Sequence, residues 1–304
     1  MRGNSKIGDN FIKRSGRIIK LKKKIINGKP MWLDTSVSGI CRDLATLGYR
    51  EPCFEWIIKK EAYGVSLELG GNIGYHTLVL CDMSDKVITV EPDKRSRQLL
   101  KRNIRLNSYD KKVKVYSFAA YDQNGKSEIY YVDKCNLSSL VEPAEKEYSI
   151  VKIKTKKIDS LSISPNFIKM DIEGAEIEAI EGMKEILSKP SCNKILIEVH
   201  PHLYSEERSF EKTLRFLLDL GFRFKYVVSA GVPVPDLFKE KGYKPFKVMD
   251  CGGDFKRGIF KDIATEDAIN FCAYEHKQKI NAKKTSNKIV RSVMLEKTAI
   301  VDTK

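Results

Sequence analysis

The sequence lacks an apolar run long enough to cross a bilayer: nothing in it approaches the roughly 18 uninterrupted apolar residues a spanning helix requires. It has no apolar stretch ahead of a small-residue cleavage site in Met1 to Gly8 either, so no secretory leader is expected and the expected location is cytoplasmic. No internal repeat or low-complexity tract interrupts it. Its seven cysteines (41, 53, 81, 135, 192, 251 and 272) are an odd number, lie far apart and include no C-x-x-C pair, which excludes the usual zinc and redox spacings and predicts free thiols. What remains is an ordinary globular composition. With 304 residues, 42% hydrophobic and 31% charged, the chain is neither depleted like a disordered segment nor enriched like a membrane protein. The length suits one large domain with appended segments.

The formal charge of +15 is unevenly spread. Residues 1–64 hold 14 basic and 6 acidic side chains, residues 65–230 hold 26 and 24, and residues 231–304 hold 15 and 10. The excess therefore belongs to the flanks, most densely in Arg14 to Lys24. Such a run suits phosphate backbones or anionic lipid headgroups, and equally a solvated strand or frayed arm, since it lacks the interleaved aromatics of a base-stacking surface. Nucleic acid and peripheral membrane contact both stay open as partners.

The middle of the chain alternates. Val65–Leu69 reads as a strand, a glycine turn follows, and Tyr75–Cys81 reads as a helix; Lys86–Val90 and the helix Asp93–Leu106 repeat the pattern. Val113–Ala119, Phe167–Asp171, Lys194–Val199 and Arg223–Val228 read as further main strands, with helices over Ala175–Leu187 and Phe210–Leu220. Lys126–Val132 and Ser149–Thr155 read as additional β segments. Strands alternating with helices imply right-handed crossovers and an α/β, doubly wound, mostly parallel sheet, with ligands at the carboxyl ends of the strands. We place a basic extension at 1–64, the main domain at 65–230 and a C-terminal extension at 231–304, where Thr265 caps a helix running toward Lys279 and a weakly ordered tail is expected after Lys283.

The sharpest local signal is Glu68-Leu-Gly-Gly-Asn-Ile-Gly74, set between strand and helix. Gly70, Gly71 and Gly74 let backbone approach a ligand. A dinucleotide fingerprint would place glycine where Asn72 and Tyr75 stand, which argues against NAD. Glu68 would repel a phosphate but suits an ammonium group. Glu91, ending the second strand, can accept from both hydroxyls of a ribose, and Asp122, after the third strand, can face an adenine amino group. Ammonium, ribose and adenine without phosphate describe S-adenosylmethionine.

Together with Phe167-Ile-Lys-Met-Asp-Ile-Glu-Gly-Ala-Glu176, these motifs make the sequence resemble the FkbM family of S-adenosylmethionine-dependent methyltransferases across residues 65–228. The matching pieces are Glu68–Thr77, Val90-Glu-Pro92, Asn103–Asn107, Ala119–Asp122, Lys156–Leu161, Asp171–Glu176, Glu181-Gly182 and Ile197–His200. The Asp-x-Glu-Gly-Ala-Glu block is the specific part. The resemblance implies a Rossmann-like, seven-stranded class I methyltransferase sheet, a cofactor held by the first three strand ends, and commonly O-methylation of sugars, glycolipids or secondary metabolites. Glu68 and Gly71 stand where family members often carry Asp and Ala. The flanks lie outside the resemblance.

Methyl transfer from a sulfonium is an in-line displacement, so the enzyme aligns nucleophile, methyl and sulfur and removes a proton when the nucleophile is a hydroxyl. Asp171 or Glu173, at the carboxyl end of the fourth strand, can orient or deprotonate the acceptor, with His200 after the next strand as rival general base. In an extended strand Lys169, Asp171 and Glu173 would share one side. Glu198, Asp171 and His200 could alternatively hold a divalent metal, although no tight spacing demands one. Glu176 is expected to stabilise the helix start. The leading expectation is a methyltransferase acting on a glycan, a lipid-linked sugar or another small-molecule acceptor. An RNA methyltransferase clamping its substrate with basic ends, and a non-catalytic cofactor-binding adaptor, are the alternatives. Against RNA stand the missing Asn/Asp-Pro-Pro-Tyr signature and RNA-binding module.

Overall fold

A computed structural model describes residues 10–14, 17–36, 39–131, 138–140, 148–252, 255–273, 278–281, 284–286 and 288–297. Cys135, the first nine residues and the last seven lie outside the described residues. So do residues 274–277, across which the C-terminal helix was expected to run.

Among the described residues nine strands form the central sheet: β1 (Val65–Leu69), β2 (Lys86–Val90), β3 (Val113–Tyr116), β4 (Phe167–Met170), β5 (Lys194–Glu198), β6 (Phe222–Ser229), β7 (Lys247–Asp250), β8 (Lys256–Phe260) and β9 (Val290–Lys297). Their order across the sheet is β7–β8–β6–β9–β5–β4–β1–β2–β3. From β3 to β5 all neighbours are parallel, while β9 runs antiparallel to both β5 and β6. Seven strands, β3–β2–β1–β4–β5–β9–β6, thus make the doubly wound Rossmann-like sheet that the alternation predicts, and β7 and β8 extend it at one edge. Continuous burial explains why these segments read as apolar runs: all four residues of β4 are buried, and four of five in β1, β2 and β5.

The tail expected after Lys283 is corrected here. Val290–Lys297 is a strand in the sheet interior, because Val293, Met294 and Leu295 bury completely between β5 and β6. The sheet therefore draws on residues well past the limit set at 230. Elsewhere the differences are local. The third strand stops at Tyr116 and resumes as Ala119–Ala120, which pairs with Thr155–Lys156 in a separate four-stranded sheet containing the hairpin of Gly125–Tyr131 and Ser149–Lys156. The helix expected over Ala175–Leu187 breaks at Gly182, where a Cβ would lie 1.9 Å from the Tyr121 carbonyl oxygen. The helix begun by Thr265 is described to Ala273, and Gln278–Asn281 is a strand.

The N-terminal extension packs on the domain. Arg17–Ile26, which holds most of the basic run, pairs with Lys29–Asp34, and two helices follow, α1 (Ile40–Leu47) and α2 (Pro52–Glu61). Met31, Leu33, Ile40 and Leu44 form an apolar cluster with Ile73, Tyr75 and Leu78 of the main domain. The asparagines after β2 secure the hairpin: on the helix Lys94–Leu106, Asn103 Oδ1 accepts from the Trp32 amide at 2.7 Å, and just beyond its end Asn107 Nδ2 donates to the Pro30 carbonyl at 2.8 Å.

Candidate active site

At the carboxyl ends of β1, β2 and β4 lies a cleft of about 970 Å³, its open mouth included. The glycine turn forms one wall. Gly70 takes φ +83°, and a Cβ there would lie 1.9 Å from the Asp171 carbonyl oxygen, so only glycine lets the β1 and β4 ends come together. Lys169 Nζ, on a side chain buried in β4, donates to the Gly70 carbonyl at 3.1 Å and lies 3.5 Å from Asp171 and 3.9 Å from Glu68. One ammonium thus ties the turn to the acidic block.

Of the eight residues expected at a cofactor, Glu68, Gly70, Gly71, Asn72, Tyr75 and Glu91 line the cleft. Glu91 Oε2 accepts from the Asn72 amide and Oε1 from the Asp93 amide, both at 2.7 Å. Burial, with Asp93 alongside, pushes its carboxyl up to about 7. Asn72 Oδ1 is buried without a hydrogen-bond partner among the described residues. Glu68 is fully buried, with Oε2 accepting from Thr77 at 2.5 Å and Thr89 at 2.9 Å, so it braces the turn from below. The Tyr75 hydroxyl is committed to Glu55, Asn27 and the Arg50 amide.

Gly74 and Asp122 are not among the lining residues. Gly74 starts the following helix, Tyr75–Met83, against Leu100. Asp122 lies against Gly182, its Oδ1 buried without a hydrogen-bond partner among the described residues; Ala119 and Ala120 line the cleft, with Ile129 of the side sheet and Leu140 just beyond it.

The other end of the cleft is charged. Asp171 and Glu173 both line it. β4 ends at Met170 and Glu173 takes φ +53°, so the strict alternation expected through Glu173 does not continue. Burial, with Glu198 nearby, raises Asp171 to about 6; burial also raises Glu173 to about 7 although His200 opposes it.

His200 is not a lining residue, and its expected role as a base is corrected by its surroundings. It is 2% exposed, with Nδ1 3.0 Å from Glu176 and Nε2 3.2 Å from Glu198 and 3.3 Å from Glu173. Against the cost of burial, Glu176 and Glu173 raise it to about 10, so at neutral pH it is an imidazolium with no lone pair to offer. Glu176, expected only to favour the helix start, is fully buried and also accepts from the Tyr204 hydroxyl at 3.1 Å and the Gly174 amide at 3.2 Å.

Sequence reading missed Arg50, Glu51 and Arg291, which line the cleft together with His76, a residue the sequence places on the first helix as structural or cofactor-adjacent. Arg291, from β9, bridges Glu51 and Glu198, reaching the latter at 2.6 Å. Burial works against ionisation of Glu51, yet Arg291 holds it down at about 2; burial lowers His76 to about 3, leaving that imidazole neutral. Pro52 at the first turn of α2 is the local signal available there, and it marks a helix start rather than the role of Glu51 before it. Ligand atoms of Asp171, Glu198 and His200 lie within 4.8 Å of one another, the spacing of a cation site. Arg291 and, at 3.5 Å, Lys288 already answer the Glu198 charge.

The order of the seven strands β3–β2–β1–β4–β5–β9–β6, with β9 reversed inside it and a glycine turn facing an acid at the second strand end, is the class I methyltransferase fold. The Methyltransferase FkbM domain family matches residues 68–224, more than half of the chain, and the chain belongs to that family. Among curated proteins, none matches it. Among solved structures it is similar to methyltransferase FkbM from Methylobacillus flagellatus KT, at 20% identity and a TM-score of 0.40 over 53% of this chain and 39% of that one. An rRNA methylase from Streptococcus thermophilus is similar at 10% identity and a TM-score of 0.41, over 81% and 95% of the two chains. TYW2 from M. jannaschii, in complex with AdoMet, is similar at 10% identity and a TM-score of 0.37, over 91% and 87%.

Proposed function

We propose that the protein is an S-adenosylmethionine-dependent O-methyltransferase acting on a hydroxyl of a glycan, a lipid-linked sugar or a small metabolite. The observation that carries this reading is a single cleft joining the Glu91 end of β2 to the Asp171 end of β4. The residues fit the cofactor. Gly70 and Gly71 line the cleft, Asn72 holds an amide oxygen that is buried without a partner among the described residues, and Ala119, Ala120 and Ile129 offer a small apolar wall suited to adenine. The cofactor supplies an activated methyl group on a sulfonium. Glu91 holds the ribose hydroxyls, each carboxylate oxygen keeping a free lone pair beside its backbone bond.

At the other end, Asp171 orients the acceptor hydroxyl and takes its proton, a role that suits a carboxyl raised to about 6 by burial. Glu173 stands second in line, and His200, as a cation, positions Glu173 and Glu176. Arg50, Glu51 and Arg291 shape the acceptor end.

Calorimetric titration with S-adenosylhomocysteine, with Glu91→Ala in parallel, tests the cofactor assignment: micromolar binding lost in the variant supports it. Absence of binding by either protein at millimolar ligand overturns it. Labelled methyl transfer into a cell extract, followed by ribonuclease, tests the acceptor. Label that survives digestion supports a glycan, lipid or metabolite; label lost from large species transfers the reading to RNA.

A further inference from the structure

Outside the cleft, one edge of the central sheet gathers apolar side chains in the open. Among the described residues β7 is the outermost strand on its side and pairs only with β8. Phe246, just before β7, is 53% exposed, Val248 within it 47%, and Phe255, just before β8, 40%. The turn at Gly252 packs on the end of α1, since a Cβ there would sit 3.3 Å from Leu47, which is itself 48% exposed. Trp56 of α2 continues the patch, its ring centroid 6.3 Å from that of Phe246. Lysines stand over these rings. The Nζ atoms of Lys60 and Lys247 lie 5.4 Å and 5.9 Å from the Trp56 centroid, and that of Lys261 lies 3.7 Å from the Phe246 centroid. Residues 241–261 carry six basic and two acidic side chains, an excess that the main domain lacks.

We propose that this edge docks the protein on the headgroup layer of an anionic lipid bilayer. Exposed apolar groups ringed by lysines, with the lysine stems laid along aromatic faces, make a surface suited to a membrane interface: the rings and aliphatic groups leave water while the ammonium groups meet lipid phosphates. A single-stranded nucleic acid would also engage lysines and aromatic rings, but Leu47 and Val248 have no π face on which a base could stack, whereas the acyl boundary accepts them. Strand addition by a second copy is disfavoured, because β7 is only four residues long and carries Lys247 and Asp250 at its ends. The unpaired backbone groups of β7 need water, which limits insertion to headgroup depth. Docking holds the segment Leu47 to Glu51 near the bilayer, and its Arg50 and Glu51 line the acceptor end of the cleft. That placement suits a lipid-linked acceptor and to that extent rests on the proposed methyl transfer; the docking itself does not.

The test is co-sedimentation of the full chain with vesicles of phosphatidylcholine, alone or mixed with phosphatidylglycerol. The expected result is binding to the mixed vesicles, roughly tenfold or more tighter than to phosphatidylcholine alone and weakened by salt. Phe246→Ser/Phe255→Ser and Lys244→Glu/Lys247→Glu should each lose roughly tenfold or more of that affinity, with unchanged urea midpoints because every replaced side chain is exposed. Trp32→Phe leaves Trp56 as the only tryptophan, and mixed vesicles containing brominated phosphatidylcholine should quench its emission. No methyl transfer is read, so failure here and failure of the proposed activity are separable. Vesicle binding that both double variants retain, with Trp56 unquenched, belongs to the basic strand Arg17–Ile26 and overturns the proposal. Absence of vesicle binding overturns it as well, and polyuridylate bound instead, and lost in Phe246→Ser/Phe255→Ser, would assign the edge to RNA.

Discussion

His200 Nδ1 donates to Glu176 Oε1 across 3.0 Å, a buried charge pair that joins the end of β5 to the turn after β4. Removing one partner of such a pair leaves the other charged and enclosed, which costs about 3 kcal/mol or more. Glu176→Ala should lose stability of that order in urea denaturation; a loss under about 1 kcal/mol would show that Glu173 and Glu198 suffice to hold the imidazolium. The pH dependence follows the same pair. Because the folded pKa is raised from 6.5 to about 10, the His200 contribution is complete below 6.5 and disappears as pH climbs through 10. His200→Gln should flatten that alkaline decline.

Glu91 makes cofactor affinity depend on pH in the opposite sense. Its folded carboxyl is raised from 4.5 to about 7, so its own contribution to stability is lost as pH rises through 7. Two ribose hydroxyls prefer the ionised form. Affinity for S-adenosylhomocysteine should therefore tighten several-fold between about pH 6 and 8, and Glu91→Gln should bind roughly tenfold or more weakly with little pH dependence. A pH profile unchanged in the variant would remove Glu91 from the cofactor site.

Asp171 separates binding from chemistry. Asp171→Ala should retain S-adenosylhomocysteine affinity and lose on the order of 100-fold in methyl transfer, the usual contribution of a positioned base. Wild-type turnover by the variant with the true acceptor would sink its catalytic assignment and move attention to Glu173.

A chain ending at residue 287 should not fold. It lacks β9, and β5 and β6 then have no strand between them. Circular dichroism and a denaturant titration would check this; a cooperative transition like that of the full chain would show that the sheet closes without β9.

How far the sequence discloses this molecule depends on how local each cause is. The turn at Gly70 is visible because only glycine serves there, and the parallel strands are visible because burial on both faces leaves five apolar-rich residues in a row. Glu91 is legible from its distance to the turn. Arg291 is not: its work is done against Glu51, 240 positions away, and Glu198, and a basic residue near a Lys- and Asn-rich stretch resembles a solvated tail. The apolar run Val293-Met-Leu295 was the available signal for β9, masked by Arg291, Glu296 and Lys297 around it. His200 is legible as a site residue but not as a cation, since its protonation is set by three carboxylates, Glu173 and Glu176 of the block after β4 and Glu198 at the end of β5.

The position of β9 also governs when the protein can come into being. A ribosome delivers β5 and β6 with 68 residues still to be synthesised before β9 is complete, and neighbouring strands stand about 4.8 Å apart, so the nascent sheet must keep a slot of roughly 10 Å between two unpaired edges. Until residue 297 has cleared the exit tunnel, those edges are open templates for other chains. The last described strand of the sheet thus holds back its closure until the chain has been made through residue 297.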